Sequence, residues 1–415
     1  MTIRATLRQR ADYTHKFNTQ TGRHGWLRLT PAYSVKVVEE LIARCDRPMR
    51  LLDPFCGTAT TALSAACHGH QAVTADINPF LVWFARAKTD RYLPAVIASA
   101  HGACAHALRL LAGEAVPPVP APPIHRIERW WNPPNLDFLR ALKAAIDHVT
   151  GPQSQPRTLL LVAFCRTLIA LSNAAFNHQS MSFKVAAPPA IPDRDPAAVF
   201  ADAVALVLDG AGQNPAGTAD VILADARAPL PHRGGPFDRV ITSPPYANRM
   251  SYIRELRPYM YWLGFLANGH DAGALDWSTI GGTWGMATSR LATWKCPAGS
   301  FEHAELSRIL DLVAHADNRN GGILANYIAK YFDDMWIHFQ ILTTMLSGNA
   351  EIHYIVGNST FYGVLLPVER LYAAMLERIG FHAIACRPIR KRNSKKELIE
   401  FDVTAVWPGA RLSRF

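Results

Sequence analysis

Three short runs carry the residue types best suited to chemistry, each at the carboxyl end of an apolar segment. The first is Asp53-Pro54-Phe55-Cys56-Gly57-Thr58. Gly57 lets the backbone approach a ligand closely, and the helix expected next offers unpaired N–H groups at its start. The spacing is not GxGxxG and no Walker lysine follows, which favours a nucleoside ligand over a dinucleotide or triphosphate. An ordinary strand-to-helix turn is the competing reading. The second run is Asp76-Ile77, with Asp76 19 residues beyond Gly57. An acid there can accept both hydroxyls of a ribose, or cap a helix starting near Pro79. The third is Ser243-Pro244-Pro245-Tyr246. Two prolines remove two N–H donors and fix the backbone, leaving carbonyls free to accept. A serine before them and an aromatic after them form a short acceptor edge with a stacking face. That edge suits a planar amine such as a nucleobase; a structural Pro-Pro turn is the alternative.

A fourth feature is basic. Arg387, Arg390, Lys391, Arg392, Lys395 and Lys396 place six positive charges and no acid in residues 387–396. Phosphate contact is the functional reading, and a solvated hairpin tip the structural one. The sixteen histidines show no HExxH or paired-ligand spacing, so no metal site is expected. Trp130 and Trp131 begin a helical segment and are expected to pack in a core. Asn132-Pro-Pro-Asn135 lacks a preceding apolar strand and a following aromatic, and is rejected as a second acceptor edge.

The elements that must position these runs alternate. A short helix over 33–42 follows Pro31, with Thr30 as its N-cap. Arg50–Asp53 is a strand, Thr60–His68 a helix ended by Gly69, Gln71–Ala75 a strand and Pro79–Lys88 a helix. This spacing is the signature of a parallel α/β sheet. The rhythm breaks over 91–218, a mainly helical insertion with helices at 136–149, 158–176 and 197–209 and a proline-rich loop at 117–123. It resumes at Asp220–Ala224 and Asp238–Thr242. Residues 268–322, rich in Gly, Trp and His, are expected to be loops. A helix at 325–346, a strand at 351–356, a helix at 367–379 and a hairpin of strands at 382–389 and 398–405 complete the chain. The expected divisions are 1–90, 91–218, 219–267, 268–322 and 323–415.

Composition bounds the class. The 415 residues are 49% hydrophobic and 18% charged, which excludes a disordered or collagen-like chain. Forty-three basic against 33 acidic residues leave +10, which suits a polyanionic partner or simply a basic enzyme. Seven cysteines without a CxxC pair argue against a disulfide framework or structural zinc and fit a reducing cytoplasm. The N-terminus lacks the apolar stretch of a signal peptide. The apolar stretch near Leu159–Leu171 is interrupted by Arg166 and is too short to cross a bilayer. No repeat occurs at solenoid periods.

Asp53–Gly57 resembles the cofactor motif of the amino-group DNA methyltransferases, and Ser243–Tyr246 resembles their catalytic tetrapeptide. Serine in first place is most similar to the N4-cytosine subset. Thr30–Val38 resembles the segment that precedes the cofactor motif, Asp225-Ala226-Arg227 the acid that reads the adenine amine, and Tyr252–Phe265 the helix after the catalytic loop. Gly357-Asn-Ser359 and Gly380-Phe381 resemble later landmarks. Together these cover roughly 13–90 and 218–405. The resemblance departs at Ala59, where a second glycine is usual.

The resemblance implies a Rossmann-like sheet that binds S-adenosylmethionine through Thr30, Pro31, Asp53, Pro54, Phe55, Cys56, Gly57, Thr58, Asp76, Ile77, Asp225 and Ala226. It implies transfer to the amine of a base flipped from double-stranded DNA, with Ser243, Pro244, Pro245 and Tyr246 at the reacting centre. Arg249, Tyr252 and the basic run Arg390, Lys391, Arg392, Lys395 and Lys396 would contact DNA. A restriction endonuclease would be the functional partner, with no metal and no membrane. The N6-adenine DNA methyltransferases, which usually carry Asp or Asn in place of Ser243, and the RNA base and protein-glutamine methyltransferases, with similar Pro-Pro-Tyr loops, remain alternatives, as does a non-enzymatic DNA-binding protein. C5-cytosine methylation needs a cysteine nucleophile, typically in a Pro-Cys pair, and none occurs.

Overall fold

The computed structural model describes residues 7–19, 21–29, 33–113, 116–175, 182–183, 195–232, 234–282, 286–317, 319–392 and 398–409. Thr30, Pro31, Lys395 and Lys396 lie outside the described residues. After α1 (His15–Asn18) and α2 (Val35–Ile42), the chain alternates as β1 (Arg50–Asp53), α3 (Thr60–Cys67), β2 (Gln71–Asp76) and α4 (Pro79–Thr89). The N-cap of α2 is Ser34, not Thr30. The insertion holds α5 (Pro94–Ala112), α6 (Pro133–Val149), α7 (Gln155–Ala170) and α8 (Pro196–Ala211). Two-residue strands β3 (Ala174–Ala175) and β4 (Ser182–Phe183) pair between the last two helices.

The sheet resumes with β5 (Thr218–Leu223) and β6 (Phe237–Thr242), followed by α9 (Tyr252–Trp262). Helices α10 (Gly269–Ser278), α11 (Met286–Thr293), α12 (Ala304–His315) and α13 (Gly321–Thr343) lead to β7 (Leu346–Gly357). A small hairpin, β8 (Ser359–Phe361) and β9 (Val364–Leu366), precedes α14 (Val368–Ile379) and the closing strands β10 (His382–Lys391) and β11 (Ile399–Trp407).

Seven strands form one sheet in the order β10-β11-β7-β6-β1-β2-β5. All neighbours from β7 to β5 pair in parallel, and β11 runs against both of its neighbours. This is a Rossmann-like α/β sheet, mostly parallel with one antiparallel strand. Successive β1 residues feed opposite faces: Leu51 packs with α2 and α3, and Leu52 with α13 and α14. Strand order reverses between β1 and β6, and such a switch point opens a crevice beyond the carboxyl ends of the strands. The chemistry-bearing runs follow those ends: Asp53 closes β1, Asp76 closes β2 and Ser243 follows β6.

Four expectations need correction. Residues 268–322 are not loops but hold α10, α11 and α12; helices of 8–12 residues show few turns of periodicity, and Asn268 starts α10 by accepting the Asp271 N–H. The helix expected over 158–176 stops at Ala170. Helix α5 was not foreseen, because its apolar residues are spread around it rather than along one stripe. At 19 residues α5 is long and apolar enough to cross a membrane, and here it packs on α6, α7 and α8. Trp130 and Trp131 are buried as expected, but they precede α6, which Asn132 caps by accepting the Asn135 N–H at 3.0 Å. A common apolar cluster joins the insertion to α4 and α9 through Phe80, Trp131, Phe164 and Trp262.

Candidate active site

The turn after β1 is pinned from beneath. Asp53 is 1% exposed; its Oδ1 accepts the Thr242 hydroxyl at 2.6 Å and the Phe55 N–H at 3.1 Å, tying the end of β1 to that of β6. Burial pushes its pKa up to about 6. Asp53, the buried Cys56 and Thr58 lie below the cavity rather than on its wall, whereas Pro54, Phe55 and Gly57 line it. Phe55 sets its ring edge-on to His338 at 4.8 Å. A carbonyl can only accept, so His338 donates from Nδ1 to the Ala226 carbonyl at 2.9 Å, and its Nε2 accepts from the Tyr354 hydroxyl at 2.6 Å. Burial holds this imidazole down at about 4.

Asp76 faces the same cavity. It accepts the Gly57 N–H on Oδ2 and the Asn78 N–H on Oδ1, each at 2.9 Å. Asn78, not Asp76, caps α4, by accepting the Phe80 N–H at 3.0 Å. Both oxygens of Asp76 keep lone pairs beyond these bonds. Burial raises its pKa to about 6. Ile77, Asp225 and Ala226 complete this wall. The Arg227 guanidinium clasps Asp225, with Nη2–Oδ2 at 2.6 Å, and also reaches Asp334 and the Ser278 carbonyl. Burial works against the Asp225 carboxylate, but these bonds outweigh it and hold its pKa below the ordinary range.

The opposite wall is Ser243-Pro244-Pro245-Tyr246, and each polar atom of its edge is accounted for. The Ser243 hydroxyl donates to the Ile355 carbonyl at 3.0 Å, which leaves its lone pairs to accept. The Pro245 carbonyl takes the Tyr331 hydroxyl at 2.8 Å, and the Tyr246 carbonyl takes the Asn248 N–H at 2.8 Å. The Pro244 carbonyl receives no hydrogen bond from the described residues. The Tyr246 N–H points to the Tyr252 hydroxyl at 3.3 Å, and its own hydroxyl donates to Glu400 at 2.9 Å.

The C-terminal hairpin supplies the third side. Arg390 forks onto Glu400, with Nε–Oε2 at 2.8 Å, while the guanidinium carbon of Arg392 lies 4.8 Å from the Tyr246 ring centroid. The Arg392 Nη1 donates to the Asn358 carbonyl at 2.8 Å. Much of the basic run is therefore strand rather than loop, because β10 extends through Lys391. Arg249 is exposed with φ 60° and lies off the cavity, as does Lys391.

Sequence reasoning missed several wall residues. Tyr13, Thr14 and Ser34 come from the N-terminal segment, and Ser278, Thr279 and Ile280 from the end of α10 and the turn after it. Ser34 lies within the Thr30–Val38 segment without being singled out there, the other five stand in no motif, and only folding brings them to the sheet. Glu400 had a readable signal, an acid opposite Arg390 across an expected hairpin.

No family model matches the chain. Over 352 residues, 80% of this chain and 75% of the other, it is 20% identical to the Type II methyltransferase M.MvaI of Kocuria varians. That likeness supports a methyltransferase.

Proposed function

We propose that this chain is a DNA methyltransferase that moves a methyl group from S-adenosylmethionine to the N4 amine of a cytosine flipped out of duplex DNA. The supporting observation is a single cavity that has Phe55, Gly57, Asp76 and Asp225 on one wall and Ser243–Tyr246 on the other. The likeness to a Type II methyltransferase supports the same reading and suggests a restriction endonuclease as functional partner.

The residues present fit the cofactor. Asp76 has lone pairs for the ribose hydroxyls, Asp225 can accept from the adenine amine, and Phe55 gives an apolar face. Bound there, the cofactor would supply an electrophilic methyl group on a sulfonium. Flipping the base costs a few kcal/mol, offset in part by stacking on Tyr246, worth about 1–3 kcal/mol. Ser243 Oγ and the Pro244 carbonyl then accept the two N–H bonds of the amine. Fixing both N–H directions turns the nitrogen lone pair toward the methyl group, so catalysis is mainly by orientation. Serine is a weak base, and proton loss follows transfer.

Duplex DNA of mixed sequence incubated with methyl-labelled cofactor, then digested to nucleosides, tests this. Label in N4-methylcytosine is the expected result. Label in N6-methyladenine would keep the site and overturn the base; unlabelled DNA would overturn the substrate.

A further inference from the structure

Lys88 lies in α4 and is 1% exposed. Among the described residues no acid pairs with it, and its one hydrogen bond runs from Nζ to the Thr58 carbonyl at 2.5 Å. The ammonium lies 5.4 Å from the Phe84 ring centroid, and its titratable neighbours are the thiols of Cys56 and Cys67 and the imidazole of His24, which burial keeps uncharged. Burial pushes its pKa down to about 7. A lysine so deeply buried without an acid is rare and costly, and an apolar side chain of equal reach would fill the space at less expense. Something other than packing must account for it.

The carbonyl it holds belongs to the peptide between Thr58 and Ala59. Ala59 is fully buried and sits in the left-handed region, with φ 58° and ψ 34°. Glycine reaches that region freely, and a residue with a Cβ stays there only when its surroundings hold it. Rotation of the Thr58–Ala59 peptide plane is what changes the φ of Ala59, and a bond to its oxygen restrains that rotation. One residue earlier, the Gly57 N–H is fixed by Asp76; one residue later, the Ala59 carbonyl starts α3 by accepting the Leu63 N–H at 3.0 Å.

We propose that Lys88 is a positioning residue for the cofactor turn. It clamps the Thr58–Ala59 peptide so that alanine can occupy a glycine-type position, and so keeps Gly57 and Phe55 at the cavity wall. The ligand named in the test rests on the cofactor reading above; the clamp itself does not.

Four proteins decide it: wild type, Lys88→Met, Ala59→Gly and the double variant. Two readouts are used, S-adenosylmethionine affinity by calorimetry and hydrogen exchange over residues 56–61 without ligand. Lys88→Met should weaken cofactor binding about tenfold, the order expected for losing a charge-assisted bond, and should speed exchange in the turn. Ala59→Gly should bind at least as tightly as wild type. In the double variant, glycine adopts the turn without a clamp, so both readouts should return to near wild-type values. Rescue by a change at a different residue is not expected if Lys88 only fills space. Unchanged binding and exchange in Lys88→Met would overturn the proposal, as would a double variant no better than Lys88→Met. Should Lys88→Met fail to fold, a folded double variant would support the clamp and an unfolded one would sink it. If wild-type protein takes up no cofactor, the cofactor reading falls, while the exchange pattern still decides the role of Lys88.

Discussion

Ser243 donates its one proton to the Ile355 carbonyl, so toward the cavity it is an acceptor. The neighbouring Pro244 carbonyl is an acceptor by nature. Replacing Ser243 with Ala should therefore slow single-turnover methyl transfer about a hundredfold, the scale for losing one oriented polar group at a reacting centre. Cofactor affinity measured alongside should move by less than about twofold, since Ser243 lies on the opposite wall. Asp76 predicts the reverse, with a pH signature. Its pKa in the folded chain is about 6 against an ordinary 3.8, raised by burial. Such a group takes up a proton more readily folded than unfolded. The stability it contributes is present below its ordinary value and is lost as pH rises through about 6. Ribose hydroxyls donate only to the ionised form without competition, so cofactor affinity should rise over the same interval. A calorimetric titration at pH 5 should show binding about tenfold weaker than at pH 7, and Asp76→Asn should be weak at pH 7 and flat with pH.

At the scale of elements, the hairpin of β10 and β11 is the least obvious part of the site. It pairs Glu400 with Gly357 on one side and with Arg390 on the other, so one carboxylate meets both Arg390 and the Tyr246 hydroxyl. Gly357 is required by this packing: a Cβ there would lie 2.4 Å from Arg392 Nη1. Gly357→Ala should displace Arg392 from the Tyr246 ring and lower turnover on DNA about tenfold, given roughly 1 kcal/mol for a cation–π contact plus the strain. Cofactor affinity should not change, and an equal loss in both would refute the assignment. The same hairpin shows why the basic run was overcounted. The acid that neutralises Arg390 lies ten residues on, outside any window centred on the charges, and only strand pairing brings them together.

For the whole molecule the relevant quantity is the distribution of its +10 charge. Arg390 and Glu400 form a buried pair, with side chains 14% and 6% exposed, whereas Arg392 has no acid partner among the described residues. The two arginines should therefore separate in a salt titration of DNA binding. Arg392→Ala should reduce the salt slope by about 1, as for one lost phosphate contact. Arg390→Ala should leave the slope unchanged and lower stability by about 3 kcal/mol, since it strands a buried carboxylate. Equal slopes for both variants would place phosphate contact elsewhere. The insertion matters at this scale too. Trp131 meets Trp262 of α9 at 5.8 Å between ring centroids, so the helix after the Ser-Pro-Pro-Tyr edge is seated on residues far away in sequence.

Much of the site was legible because its parts are local. The turn after β1, the acid ending β2 and the Ser-Pro-Pro-Tyr edge are each contiguous, and each is announced by an apolar strand and by glycine or proline chemistry. The alternation of strands and helices likewise fixed the sheet class. What remained hidden depends on residues distant in sequence. The helices of 268–322 are short and weakly patterned, yet the end of α10 and the turn after it reach the cavity. Tyr13 and Thr14 carry no motif and come to the wall only through chain reversal. An acid ending β2 can both cap a helix and hold a ligand, and only the structure shows that Asn78 takes the cap of α4. The sequence by itself determined which groups could do chemistry and which elements carry them. Tertiary structure alone decided how these groups meet, because Gly57 reaches Asp76, Tyr331 reaches the Pro245 carbonyl and Tyr246 reaches Glu400 only once the sheet has formed.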